Sequence, residues 1–289
     1  MIFNVYIPGH WGISSKELTR LYKTLSPNCH GKWGNIQISN NLNECEYVLI
    51  SDQSDEDIPL NKKVIFFGRE PYIIGRYNYT KTNLHLSFHH EQGQTWLPQT
   101  WWLNLSYDQL IELKAEHINK NKFISAIDSG KVLTPNHKLR VDTIYKLNTI
   151  CQSKFDIYGY ICNKMNGNNI KGTLPHRSKE SGLLNYKFNL CIENCNTDYY
   201  FSEKFIDPLL CWTMPVYFGC NKISNFFPKG SYYAINPSNK DYINEINDLI
   251  NSDYYEKNIP NIKKARDLIL NQYNLLPTLH RALNTKKIL

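Results

Sequence analysis

Long apolar runs are missing from this chain. No stretch approaches the about 18 consecutive apolar residues that a membrane-spanning helix needs. The opening segment, Met1-Ile2-Phe3-Asn4-Val5-Tyr6-Ile7, is too short for the core of a signal peptide and reads as a first strand. Metal-binding spacings are scarce as well. The eight cysteines include no CxxC pair and no close pair matched to a His-x3–5-His, and Cys191 and Cys195 lack two further ligands. Buried free thiols in a reducing compartment fit these cysteines better than disulfides or zinc. There is no internal repeat and no low-complexity tract. Nor is there a basic stripe: the net charge of +7 is scattered, which suits an anionic partner but does not favour a dedicated nucleic-acid binder. The expectation is a soluble, cytoplasmic protein, with the Asn-x-Ser/Thr matches at Asn78 and Asn104 arising by chance.

What the chain does have is the composition of an ordinary globular protein, 42% hydrophobic and 20% charged over 289 residues. That length allows about two domains, or one large α/β unit, and roughly three quarters of the unfolded surface can be buried without staples. Short apolar runs alternate with helical patterns. Strands are expected at 2–7, 35–38, 47–50 and 64–67, with Ser14-Ser15 capping a helix through about Leu25. A helical stretch near 107–117 leads into the polar run Ile118-Asn119-Lys120-Asn121-Lys122, the candidate linker. A second α/β unit follows, with strands at 123–127, 155–158, 186–192 and 215–218 and helices at 137–152 and 202–212. The C-terminal portion is helical, at 241–250, 259–271 and 276–284. The domains are therefore 1–118 and 119–289, two Rossmann-like α/β halves with a ligand cleft between them at the carboxyl ends of the strands.

The densest polar constellation lies after the strand at 186–192. That strand ends in Glu193-Asn194, a polar loop runs to Tyr199-Tyr200-Phe201, and a helix opens with Ser202-Glu203-Lys204. A helix N-terminus favours an anion, and Lys204 adds a full charge. Glu203 cannot bind an anion but can accept from sugar or ribose hydroxyls, so phosphate plus sugar, a nucleotide sugar, satisfies both. A first-turn acid that only complements the helix dipole, beside a solvated lysine, explains the same two residues.

The spaced set Tyr186-Lys187-Phe188, Glu193-Asn194, Tyr200-Phe201-Ser202-Glu203-Lys204 and Pro215-Val216-Tyr217-Phe218-Gly219 closely resembles the donor-binding signature of the α1,3/α1,4-fucosyltransferases, glycosyltransferase family 10. Ile192 stands where that family usually has Phe, and Phe227-Pro228 and Ser231 continue the match weakly. Upstream, Val64-Ile65-Phe66-Phe67-Gly68-Arg69-Glu70-Pro71 resembles the family's strand ending in its proposed general base, with Arg-Glu-Pro in place of Gly-Glu-Asn. Leu84–Phe88 and Leu97-Pro98 echo the next strand and its proline-containing stretch. Phe123–Ile127 with Arg140 is similar to the first donor-domain strand and the arginine that contacts the diphosphate.

The resemblance implies a GT-B-type fold and an inverting transfer of L-fucose from GDP-fucose to a hydroxyl of an acceptor glycan, in α1,3 linkage. It implies Glu70 as the base, and Arg140, Asn194, Tyr200, Glu203 and Lys204 as donor-binding residues. No essential metal or other cofactor is implied. The same scaffold using another GDP-sugar, or serving as a non-catalytic glycan-binding relative, stays open at this stage. The last helices can pack back on the first domain, as GT-B folds often do. Without a membrane anchor the chain departs from Golgi-type members and suggests a bacterial or viral origin. The acidic run Ser51-Asp52-Gln53-Ser54-Asp55-Glu56-Asp57 has the form of an Asp-x-Asp metal site but reads more readily as a solvated turn. His89-His90 with Glu91, and Trp101-Trp102, are candidate acceptor-site residues for which surface loop and ordinary core are the simpler readings.

Overall fold

The computed structural model describes residues 2–71, 84–88, 98–151 and 153–285. Asn78, His89, His90, Glu91 and Leu97 lie outside the described residues. The chain divides into two units. One comprises Met1–Thr100, Leu105–Glu112 and Leu270–Leu289, the other Trp101–Asn104 and Leu113–Ile269.

The first unit holds a six-stranded sheet in the order β2-β3-β1-β4-β5-β6. Its strands are β1 (Phe3–Tyr6), β2 (Lys32–Trp33), β3 (Ile36–Ser39), β4 (Tyr47–Ser51), β5 (Lys63–Phe67) and β6 (Leu84–Phe88). All pairings are parallel except β2 with β3. Every residue of β4 is buried, which is why its sequence is a continuous apolar run rather than an alternating one. Helix α1 (Ser15–Lys23) starts where its cap requires, with Ser14 Oγ accepting from the Glu17 N–H at 3.2 Å. Two later segments, α2 (Tyr107–Glu112) and α7 (Leu275–Thr285), also belong to this unit.

The second unit holds an all-parallel sheet in the order β11-β10-β9-β7-β8. Its strands are β7 (Lys122–Ile127), β8 (Phe155–Tyr158), β9 (Tyr186–Ile192), β10 (Met214–Phe218) and β11 (Tyr233–Ala234). Its helices are α3 (Pro135–Ile150), α4 (Glu203–Leu210), α5 (Tyr242–Ile250) and α6 (Tyr254–Leu268). Aromatic packing of Phe201, Phe205, Tyr217 and Phe227 seats α4 against β10.

The expected helix at 107–117 is broken after Glu112. The Leu113 carbonyl instead accepts from Trp212 Nε1 at 2.8 Å and Arg266 Nη2 at 3.3 Å, so tertiary partners hold it away from a helical register. Helix α6 begins at Tyr254, five residues before the expected start, and carries Pro260 in its interior. No helix among the described residues is long and apolar enough to cross a membrane.

Strand order reverses between β1 and β4 in the first sheet and between β7 and β9 in the second. In open parallel sheets, ligands settle outside the carboxyl ends of the strands at such reversals.

Candidate functional site

In the second unit, a small recess lies at the carboxyl ends of β7 and β9. Its lining includes Ile127, Ile192, Arg140, Lys179, Glu203, Lys204 and Asp207. Three cations and two carboxylates line it, and one of the cations, Arg140, is paired with Asp128 behind the wall.

Local chemistry explains how these side chains are held. Glu193, fully buried just past β9, grips the start of α4 with both oxygens. Oε1 accepts from the Ser202 N–H at 2.8 Å and Oε2 from the Ser202 hydroxyl at 2.7 Å. Ser202 Oγ in turn accepts from the Lys204 N–H at 3.3 Å and caps the helix. Burial raises the Glu193 carboxyl, and Lys204 opposes that rise. Gly219 in the Pro-Val-Tyr-Phe-Gly strand end is required by the same feature. A Cβ there would overlap Glu193 Cγ and come within 2.7 Å of its Cβ and 2.8 Å of the Tyr217 hydroxyl.

Arg140, reaching in from α3, is buried and heavily committed. It pairs through Nε with Asp128, donates from Nη1 to the Ile192 carbonyl at 2.6 Å, and reaches Asn194 Oδ1 at 3.3 Å. Thr134 caps α3 and donates to the Asn194 carbonyl at 2.7 Å, tying the two loops together. With its proton spent there, Thr134 Oγ1 accepts from His137 Nδ1 at 2.9 Å, which fixes the Nδ1–H tautomer. Burial, then Arg140 and Lys204, push His137 down to about 4, so the ring is neutral at pH 7.

Glu203 Oε1 lies 3.3 Å from Lys204 Nζ and 3.4 Å from Lys179 Nζ. Burial acts to raise this carboxyl, but the two ammoniums outweigh it and hold it below the usual carboxylate range. The structure thus brings Arg140, Asn194, Glu203 and Lys204 into one polar neighbourhood, through the recess lining and the Arg140–Asn194 bond. Tyr200 is 1% exposed and is not part of the lining. Lys179 and Asp207, absent from the sequence reading, complete the wall. Asp207 was findable as the residue four after Glu203 on the same helix face. Lys179 sits in a polar stretch without periodicity and gave no signal.

The first unit gathers a separate cluster at its own strand reversal. Asp52, fully buried at φ +61° just past β4, accepts on Oδ1 from the Arg69 N–H at 2.6 Å and the Glu70 N–H at 3.2 Å. Its Oδ2 pairs with Arg69 Nε at 3.0 Å. The Arg69 guanidinium lies 5.0 Å over the Trp11 ring and donates from Nη2 to His10 Nε2 at 3.3 Å. Burial, then Arg69, push His10 down to about 4. Asp52 therefore draws Arg69 to itself and fixes the backbone that carries Glu70.

The acidic run is likewise engaged: Asp55 accepts from the Gly12 N–H, and Glu56 from the Gly9 N–H and the Tyr6 hydroxyl. Among the described residues, no group of three or more His, Cys, Asp or Glu is placed to hold a metal ion. All eight cysteines are free, and all but Cys29 are buried. Trp101 is core. Trp102 is half-buried, with Arg177 5.1 Å over its ring.

Residues 119–259 match the model of the family described as glycosyltransferase family 10 (fucosyltransferase), C-terminal part. An α-(1,3)-fucosyltransferase, FucT, of Helicobacter pylori is 34% identical over 71 residues. That match covers 24% of this chain and only 15% of the relative's length. A crystal structure of an α1,3-fucosyltransferase with GDP-fucose is similar at a TM-score of 0.54 and 19% identity, covering 94% of this chain and 92% of that one. The Anabaena Alr3699/HepE structure with UDP and glucose gives 0.57 at 8% identity, over 99% and 100% of the two chains. An α-glucosyltransferase with UDP and a 13-mer DNA gives 0.58 at 10%, over 99% of each. Such identities establish the fold alone, two Rossmann-like units of the GT-B kind. Through residues 119–259, where the family model and the Glu193–Lys204 constellation coincide, the chain matches glycosyltransferase family 10, the fucosyltransferase family.

Proposed function

We propose that this protein is an inverting glycosyltransferase that moves L-fucose from GDP-fucose to a hydroxyl of an acceptor glycan, in α1,3 linkage. The observation that carries the reading is the recess at the β7–β9 reversal. It joins a capped helix N-terminus, Lys204 and Arg140 to the Glu203 carboxylate, within the segment that matches the family. Lys204 and Arg140 stabilise the diphosphate as it gains charge on departure. Glu203 accepts from a hydroxyl of the donor, and Asn194 bonds another. Tyr200, closed into the core, supports the loop that leads into α4 on the nucleotide side.

In the transfer, the bond from the anomeric carbon to the β-phosphate oxygen breaks while the acceptor oxygen bonds to the opposite face. Glu70 takes the acceptor's proton, and GDP leaves with the electron pair. General-base action of this kind contributes roughly 10²–10⁴-fold. The reaction so described runs without a metal.

The test is a thermal-shift panel of GDP, UDP, ADP and CMP, each with and without EDTA, followed by turnover of GDP-fucose. UDP is the demanding control, because structures that hold it share this fold. GDP at a hundred times its Kd adds about 2.7 kcal/mol, or roughly 5–10 °C for a unit of this size. The expected outcome is a shift with GDP alone, unchanged by EDTA. Glu70→Gln then retains GDP binding and loses about 10²-fold or more in turnover. A preference for UDP, a loss of activity in EDTA that Mn²⁺ restores, or full turnover by Glu70→Gln each overturns part of the mechanism. No turnover by the parent protein, with glycan binding kept, identifies a binding relative instead.

A further inference from the structure

Lys179 opens a single 3-10 turn, Lys179–Gly182, and reaches back to the recess. Its ammonium lies 3.1 Å from Asp207 Oδ2, 3.4 Å from Glu203 Oε1 and 5.9 Å from the centre of the Trp102 ring. Asp207 is 1% exposed, and its Oδ1 is occupied by the Trp102 N–H at 3.0 Å. The two carboxylates stand one turn apart on α4, so one ammonium bridges them.

Glu203 Oε1 has two cations within 3.4 Å, and they are not equivalent. Among the described residues Lys204 pairs with no other carboxylate, its ammonium otherwise reaching only the Ser202 hydroxyl at 3.4 Å, so it can turn toward an incoming diphosphate. Doing so strips Glu203 of that counter-charge at the moment when a second anion arrives beside it. Lys179 is anchored from behind by a buried carboxylate and stays.

We propose that Lys179 is a positioning residue of the donor site. Anchored by Asp207, it holds Glu203 Oε1 so that the other carboxylate oxygen accepts from a donor hydroxyl while Lys204 engages the diphosphate. This rests on the donor-site reading above.

The test is a double-mutant cycle on GDP-fucose affinity, measured by calorimetry with the full chain: Lys179→Met, Glu203→Gln and the pair together. Each single change is expected to weaken binding about tenfold, a charged hydrogen bond's worth. The pair is expected to stay within about threefold of Glu203→Gln alone, because Lys179 acts through Glu203. Lys179→Arg, which keeps the charge and the reach, restores affinity to within about threefold of the parent. If Lys179→Met does not fold, Lys179→Gln takes its place in the cycle. Losses that multiply to about a hundredfold in the pair, unchanged affinity in the single variant, or failure of arginine to rescue overturn the proposal. A parent protein that does not bind GDP removes the donor reading, and this inference with it. GDP binding with a multiplicative cycle removes this inference alone.

Discussion

Two buried groups near the recess titrate in opposite senses, and both contribute to how the second unit responds to acid. His137 is held neutral, pushed down to about 4 by burial and by Arg140 and Lys204. In the unfolded chain it takes up a proton near pH 6.5. Between those values the unfolded state binds more protons, so stability rises with pH and is lost as pH falls. Asp207 runs the other way. Burial lifts it to about 6, against the pull of Lys179, so the folded state binds the extra proton and stability falls as pH rises from about 4 to 6. The parent protein therefore shows these two slopes partly cancelled. His137→Gln, whose amide can still donate to Thr134, removes the first slope and leaves the second. Relative to the parent, its stability is expected to climb by about 3 kcal/mol as pH drops from 6.5 to 4, a shift of that size being worth about 1.4 kcal/mol per pH unit. Urea melts of both proteins across that range check it. A constant difference between the two would mean that His137 titrates normally in the folded state.

At the scale of elements, the site depends on one contact between a strand end and a helix start. Gly219 leaves the space that Glu193 needs, and Glu193 holds Ser202 at the mouth of α4. Gly219→Ala is expected to cost about 1–3 kcal/mol by overpacking. Because the displaced group is Glu193, GDP affinity should fall with it, whereas a comparable overpacking elsewhere in the sheet would leave affinity intact. A melt and a GDP titration on the same sample separate the two, and full affinity would show that α4 starts correctly without Glu193.

This contact also marks where sequence reading succeeds and stops. Strands β8 and β9 fall on the expected residues, β9 because an apolar run buried nearly throughout has few alternatives, and β8 because buried Phe155 and Ile157 alternate with less buried Asp156 and Tyr158. Ser14 and Ser202 cap the helices they were expected to cap. Strands β2 and β11, of two residues each, carry no periodicity to find. Pro260 looks like a helix start by its own preference, yet tertiary packing begins α6 earlier and places the proline inside it. Among the candidate site residues, Glu203 and Lys204 were legible through the spaced set that resembles the family's donor-binding signature. Lys179 was not, since only the folded chain brings it to Asp207, and Asp52 was hidden inside an acidic run that looked solvated.

For the whole molecule, the contact units do not follow chain order. The final segment, 270–289, belongs to the first unit although the second precedes it in sequence. Its attachment is specific. The Gln99 N–H donates to the Tyr273 carbonyl at 2.6 Å, and the Leu275 N–H donates to the Gln99 carbonyl at 2.9 Å. The Asn274 amide reaches the Leu25 carbonyl at 2.7 Å. Leu275, Leu276 and Leu279 are fully buried. At about 1.5–3 kcal/mol each, three such leucines are worth roughly 5–9 kcal/mol, comparable to the whole stability of an ordinary domain. A chain ending at Ile269 should therefore lose the first unit. The recess is lined by residues of the second unit alone, so GDP binding should persist while turnover disappears with the unit that carries Glu70. Hydrogen exchange resolves this segment by segment. Amides of β1, β3 and β4 are expected to exchange freely in the truncated chain, and those of β7, β9 and β10 to stay protected. Equal loss of protection in both sheets would mean that the units unfold as one, and persistent protection of β1 and β4 would mean that α7 contributes little to the first core.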